Sequence, residues 1–262
     1  MSIVFAAITP HPPILLPSVP ANVQERLAPT RAAFSELEKE LYAAQPEVIV
    51  IISAHTGAFN NSFTVNAHPN FTANFAEFGD QETKPTWQGA PALATKISHI
   101  TNSPVPVRLM SDSTVDHGVG IPAFFLTEHL PNVKILPVGF STLSAKQHLD
   151  FGEHLREVLV SSGIRVAIIA SGDLSHALSA RAPAGFNLNG KKFDRAIQEL
   201  LFAKNTVGLT NLDPYLVSAS KECGYRSILI LLGALKNIEA RFESLCYESP
   251  FGVGYLTGLF RF

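Results

Sequence analysis

An α/β fold is what this chain of 262 residues predicts: one layered domain with a mostly parallel or mixed central sheet flanked by helices. Two observations point there. Short apolar, β-branched runs at 3–8, 47–54, 134–140 and 165–171 have the composition of strands buried on both faces, as in a parallel sheet. Stretches with helical apolar spacing alternate with them for most of the length, the pattern of layered α/β domains. No internal repeat, charge run or low-complexity linker divides the sequence.

The first strand, 3–8, ends in Thr9-Pro10-His11-Pro12-Pro13, a turn whose prolines fix φ. Residues 22–42 predict an amphipathic helix with Leu27, Phe34, Leu37 and Leu41 on one face. The second strand ends in Ser53-Ala54-His55-Thr56-Gly57. Residues 59–78, rich in Asn and Phe and poor in charge, read as short strand pieces. A helix over 91–100 and a strand over 105–110 follow. The stretch Asp116-His117-Gly118-Val119-Gly120-Ile121-Pro122 reads as a loop into a helix at 124–129. After the strand 134–140 comes a helix over 144–161 with Leu149, Leu155, Val158 and Leu159 inward. The strand 165–171 ends in Gly172-Asp173-Leu174-Ser175-His176. Helices at 193–203, 214–222 and 225–235 and strands at 240–247 and 253–260 complete the chain.

Composition excludes several classes. Net charge is −2 and the pI about 6.5, so there is no basic footprint for nucleic acid and none for an anionic membrane surface. No apolar stretch approaches the roughly 20 residues that span a bilayer. The N-terminus lacks a basic n-region, and Thr9-Pro10 interrupts its apolar run, so it reads as a strand and not a signal peptide. The two cysteines, Cys223 and Cys246, form no C-x-x-C pair and no disulfide framework. That suits a reducing cytoplasm and is too few for a thiolate-built structural zinc site. Charged residues are only 16% of the chain, against roughly 25% in typical domains, which predicts a homodimer or larger assembly with an apolar interface. No Walker loop, H-E-x-x-H or G-x-S-x-G occurs, and Gly252-Val253-Gly254 leads into strand-like sequence instead of a helix.

The chemistry-bearing residues cluster at strand ends. His11, His55 and His176 each follow a buried strand. In open α/β sheets the ligand crevice lies beyond the carboxyl ends of the strands, so parallel neighbours would bring these imidazoles to one edge. Histidine is the commonest metal ligand and the usual acid/base near neutral pH. His117, beside Asp116, is a fourth candidate; His68, His99, His129, His148 and His154 lack strand-end context and read as surface or packing residues. Glu248 stands in Cys246-Tyr247-Glu248-Ser249-Pro250-Phe251-Gly252, with no Lys or Arg between Arg241 and Arg261. Its partners are either backbone N–H groups and a distant Arg, or a metal. Two histidines and one carboxylate form the facial triad of non-haem Fe(II) oxygenases, though Zn²⁺ accepts the same donors.

The ordered set Pro10-His11-Pro12-Pro13-Ile14-Leu15, Ser53-Ala54-His55-Thr56-Gly57, Asp116-His117-Gly118, Ser171-Gly172-Asp173-Leu174-Ser175-His176 and Tyr247–Tyr255 resembles the LigB-like superfamily. That superfamily comprises class III extradiol ring-cleavage dioxygenases and the related Memo-like proteins. The branch most similar is that of LigB-like domains associated with AMMECR-type domains. The resemblance implies one domain over 1–262 and iron ligands at His11, His55 and Glu248. It further implies an acid/base at His176 and a second pocket histidine at His117. The implied reaction is cleavage of a catechol-type ring by Fe(II) and O2, with Zn²⁺ an alternative metal and an AMMECR-type protein a partner. Memo-like relatives tend to carry cysteine where the dioxygenases carry the glutamate. Retention of Glu248 favours the oxygenase side, and the Memo-like metal-binding protein without oxygenase activity is the alternative. Gly172-Asp173 stands where the ring-cleaving enzymes usually read Gly-Gly.

Overall fold

The computed structural model describes residues 2–57, 59–99 and 106–262. In chain order the elements are β1 (Ile3–Thr9), α1 (Ala21–Gln24), α2 (Ala28–Ala44), β2 (Val48–Ser53), β3 (Phe63–Asn66), β4 (Asn70–Ala73), β5 (Thr86–Gly89), α3 (Pro91–Ser98), β6 (Val107–Met110) and β7 (Thr114–Val115). They continue with α4 (His117–Leu126), β8 (Lys134–Gly139), α5 (Ala145–Ser161), β9 (Val166–Ser171), α6 (Leu188–Phe202), α7 (Thr206–Thr210), α8 (Pro214–Ser220), α9 (Tyr225–Ala234), β10 (Arg241–Glu248) and β11 (Tyr255–Arg261).

The strands form one mixed sheet in the order β10-β11-β1-β9-β2-β8-β5-β4-β7, with β3 branching from β8 and carrying β6. Its centre is parallel: β9 pairs with β1 on one side and β2 on the other, and β2 pairs with β8. Alternate side chains of these strands enter opposite layers, as the two-residue period requires. Ile8, Val50, Ile52, Val138 and Ile168 pack with α3, α5, α6 and α9. Ala7, Ile49, Ile51, Ala167 and Ile169 pack with α2 and α4. The predicted inward face of α2 is buried at Leu27, Phe34, Leu37 and Leu41.

The expected α/β architecture is therefore present, with local differences. The helix expected over 22–42 is divided by a 3-10 turn, Glu25–Leu27. Pro29, at the second position of α2, has no N–H to continue a helix from before it. The segment read as a loop at 116–122 is the first half of α4, which begins at His117. Gly118, Gly120 and Pro122 resemble helix breakers in sequence, but the glycines serve close packing and Asp116 caps the first turn through Val119 N. β5, β7 and α7 are additional short elements. Ile100 and Val105, ends of two expected elements, lie outside the described residues.

On the far side of the sheet α5 and α9 cross with their backbones in contact. A Cβ on Gly152 would lie 2.1 Å from the Ile230 carbonyl oxygen, and one on Gly233 would lie 2.1 Å from that of Leu149. Neither carbonyl can move without disturbing its helix. Gly152→Ala is therefore expected to destabilise the protein by about 1–3 kcal/mol, the range for overpacking. A urea transition should show a lowered midpoint at unchanged slope; an unchanged midpoint would mean that the helices separate freely.

Candidate metal centre

His11 lies two residues beyond β1 and His55 two beyond β2, while β9 between them leads to Asp173 and His176. The parallel pairing brings Thr9 opposite Ser171, and so carries all of these groups to the carboxyl edge. His11 is buried. Its Nδ1 is 2.9 Å from Ser171 Oγ, and that hydroxyl donates its proton to the Gly118 carbonyl. A carbonyl only accepts, so Ser171 Oγ accepts from His11 Nδ1–H. The tautomer is thereby fixed, and the lone pair sits on Nε2, facing inward. This is the outer hydrogen bond that metal-ligating histidines make.

The imidazoles of His11, His55 and His117 form a triangle, with ring centroids 5.1 Å (11–55), 5.2 Å (11–117) and 4.4 Å (55–117) apart. Asp116 holds two sides of it together. One carboxylate oxygen accepts from Ser53 Oγ at 3.1 Å and from Val119 N at 3.2 Å, the other from Thr56 Oγ1 at 2.6 Å. The residue therefore clamps the His55 loop to the start of α4 instead of orienting its neighbour's ring. Gly118 is needed at this junction, since a Cβ there would fall 2.2 Å from Ser53 Oγ and 3.1 Å from His55 Cδ2. Burial, reinforced by the neighbouring His55, lowers the His117 pKa to about 4. Burial, followed by the other imidazoles, holds His11 well below the ordinary histidine value. Neutral imidazole is the form that binds metal.

A residue outside the sequence-based set completes this group. Cys223 Sγ is 3.4 Å from His11 Nε2, and the donor atoms of His11, His55 and Cys223 lie within 4.8 Å of one another. Cys223 arrives just before α9. Its Sγ accepts from Asp173 N at 3.2 Å, and its own N–H donates to the Asp173 carbonyl at 3.2 Å. Two glycines permit this approach: a Cβ on Gly172 would lie 2.2 Å from Gly224 Cα. Burial pushes the Cys223 thiol up. On a tetrahedral zinc-like ion, an imidazole nitrogen and a thiolate sulfur stand roughly 3.6 Å apart, from bonds of about 2.05 and 2.3 Å. The observed separation fits one cation shared by His11 and Cys223.

Glu248, the last residue of β10, is engaged at the start of α2. Its Oε1 accepts from Thr30 N at 2.9 Å and Thr30 Oγ1 at 2.5 Å, in the first turn of α2. The helix N-terminus supplies its partners, as a carboxylate there favours. Among the described residues, Glu248 belongs to neither group of three or more His, Cys, Asp or Glu donors within mutual reach; the second group is Asp173, His176 and Cys223. His117 is in neither group but lines the same cleft, of about 280 Å³, with His55, Asn66, Asn74, Glu77 and Asp112.

The motif around Glu248 braces the β9 loop. Gly254 N donates to Ser175 O, Leu174 N to Gly254 O, and Leu178 N to Gly252 O. Buried Asp194 accepts from Ser175 N at 2.8 Å and from Tyr247 Oη at 2.7 Å. His176 is lowered in pKa chiefly by burial, and its Nε2 stands 3.8 Å from Asp173 Oδ2. The other histidines fall where expected: His148 packs on Phe63, and His129 pairs with Glu38.

Ser171→Ala removes the group that fixes the His11 tautomer and leaves the strand intact. Loss of such an outer hydrogen bond typically costs about 10–100-fold in metal affinity. Competition titration with a zinc chelator should show that loss in protein whose circular dichroism remains that of the folded wild type; unchanged affinity would remove Ser171 from the site.

Comparison with known proteins agrees with this architecture. The family model for the catalytic LigB subunit of aromatic ring-opening dioxygenase matches residues 5–258. Protein CA_C1420 of Clostridium acetobutylicum is 28% identical over 258 residues; the match covers 95% of this chain but 55% of that protein, so this chain spans little more than half of its relative's length. The crystal structure of the uncharacterized protein JW3007 from Escherichia coli K12 superposes with a TM-score of 0.71 at 18% identity, covering 98% of this chain and 99% of the other. That likeness establishes a shared fold. With the family model spanning nearly its whole length, this chain belongs to the LigB family of aromatic ring-opening dioxygenase catalytic subunits.

Proposed function

We propose that this chain is a metal-dependent protein whose cation is held by His11, His55 and Cys223, in the manner of the Memo-like branch of its family. The observation that carries the reading is the exchange of third donors. Cys223 Sγ stands 3.4 Å from the free Nε2 of His11, while Glu248 is engaged by the N-terminus of α2. Two imidazoles and a thiolate suit a borderline or soft cation, with Zn²⁺, Cu⁺ and Fe²⁺ all acceptable. On this reading the protein acts in redox or protein-modification chemistry with a partner, for which the AMMECR-type protein implied by the resemblance is the candidate.

A second reading is Fe(II)-dependent cleavage of a catechol-type ring with O2. It is favoured by the family and by the cleft beside His55 and His117. There His176 would move a substrate proton and His117 would hydrogen-bond a substrate oxygen. General acid–base groups contribute about 10²–10⁴-fold to turnover, so His176→Ala would keep its metal and lose most of its rate.

Metal analysis of protein purified without oxygen separates the two. Expected for the first reading: His11→Ala, His55→Ala and Cys223→Ala each lose the metal, Glu248→Ala keeps it, and a panel of simple catechols gives no coloured ring-opened product. Loss of metal in Glu248→Ala with retention in Cys223→Ala, together with turnover of a catechol by the iron-loaded protein, would overturn it in favour of ring cleavage.

A further inference from the structure

Next to the first group of donors stands a second, and the two share one atom. The donor atoms of Asp173, His176 and Cys223 lie within 4.8 Å of one another, as do those of His11, His55 and Cys223. We propose that Asp173 and His176 form the terminal ligands of a second divalent-cation site, and that the Cys223 thiolate bridges it to the first. The inference rests on the His11–His55–Cys223 centre proposed above and adds a second ion to it.

Three observations carry it. Asp173 is a carboxylate only 5% exposed. Its Oδ1 is used by His11 N at 3.0 Å. For Oδ2, among the described residues, the partner within ion-pair range is His176 Nε2 at 3.8 Å, beyond hydrogen-bonding distance, and no Lys or Arg reaches it. Oδ2 thus has no protein hydrogen-bond donor among the described residues and is open to an ion.

His176 is left in a matching state. Its Nδ1 is buried without a hydrogen-bond partner at bonding geometry, although the Lys221 and Leu174 carbonyls lie near the ring, and its Nε2 faces Asp173. An imidazole nitrogen and a carboxylate oxygen on one tetrahedral ion stand roughly 3.4 Å apart, and the 3.8 Å gap here lies within half an ångström of that.

The third observation is the fixing of the shared sulfur. Cys223 and Asp173 exchange backbone contacts, Asp173 N to Sγ at 3.2 Å and Cys223 N to Asp173 O at 3.2 Å. Both also sit where Gly172 and Gly224 touch. The sulfur therefore cannot serve the His11 side without standing beside Asp173. A thiolate has lone pairs for two ions. Each site would then have three protein donors and room for further ligand, the arrangement of catalytic zinc sites. In two-metal centres the ions stand about 3.5–4 Å apart, a spacing that lets one small oxygen ligand contact both. A ring that ligates an ion is not free to carry a proton, so His176 has a different task here than in the ring-cleavage reading.

The test is stoichiometric and needs no substrate. Reduced, metal-free protein is titrated with Zn²⁺ without oxygen, desalted, and analysed for zinc and protein. Wild type is expected to hold two equivalents. His176→Ala and Asp173→Asn should each hold one; Asn retains the oxygen that accepts from His11 N, and His176→Gln gives a second, milder replacement for the ring. With Co²⁺ in place of Zn²⁺, the paramagnetic signal of the first equivalent should fall as the second is added, because a bridging sulfur couples the ions. A single equivalent in wild type that is abolished in His11→Ala and untouched in His176→Ala would overturn the second site and leave the first standing. Two equivalents in both His176 variants would also overturn it. No zinc retained by wild type would sink the first centre and this inference together.

Discussion

Strand β9 is hydrogen-bonded on both sides to strands that end in histidines, and everything at the sheet edge depends on that pairing. Parallel neighbours run in register from Ala167 to Ser171 against β1, beyond an irregularity at Val4, and from Val166 to Ala170 against β2. A parallel ladder permits no slip here, because a one-residue shift would exchange the two buried faces of each strand. The same register that buries Ile168 on one side and Ile169 on the other therefore fixes the height at which His11, His55 and the Asp173 loop leave the sheet. Ser171, the last residue of β9, ties His11 to the first turn of α4 within this frame.

Around that frame the site is held by neutral contacts and buried acids rather than by ion pairs. Asp116 clamps the His55 loop to α4, and Asp194 ties Ser175 to Tyr247. Burial raises Asp173 to about 7 and Asp194 to about 6, and it lowers His11, His117 and His176. In these five groups burial disfavours the charged form. Among the described residues no helix is long and apolar enough to cross a membrane.

The sheet was legible in sequence because its central strands are continuous apolar runs, and the convergence of His11, His55 and His176 followed from their strand-end positions. What was not legible depends on contacts between distant segments. β5, Thr-Trp-Gln-Gly, buries only alternate residues and has no apolar run to mark it. The start of α4 was hidden by Gly118 and Gly120, whose meaning appears only when Ser53 and Phe75 are seen against them. Glu248 looked unpartnered because its donor, Thr30, is 218 residues away. A count of two cysteines gives Cys223 no role; the cue in the sequence is Cys223-Gly224 immediately before an apolar helix, where a thiol is set at a helix start.

The Gly172–Gly224 contact has a temporal side. The imidazoles of His11 and His55 emerge from one sheet early in the chain, but the thiol that meets His11 is separated from it by 212 residues. Contacts of such sequence distance form late, since loop closure precedes the gain. Because β9 lies between β1 and β2, the two imidazoles come together only once Val166–Ser171 has entered the sheet, and the Cys223 segment follows later still. An ion captured between those two steps would be held by nitrogen donors alone, and its identity would be set by supply. Docking of the Cys223 segment through the Gly172–Gly224 contact is then the step that adds a soft donor beside the two nitrogens.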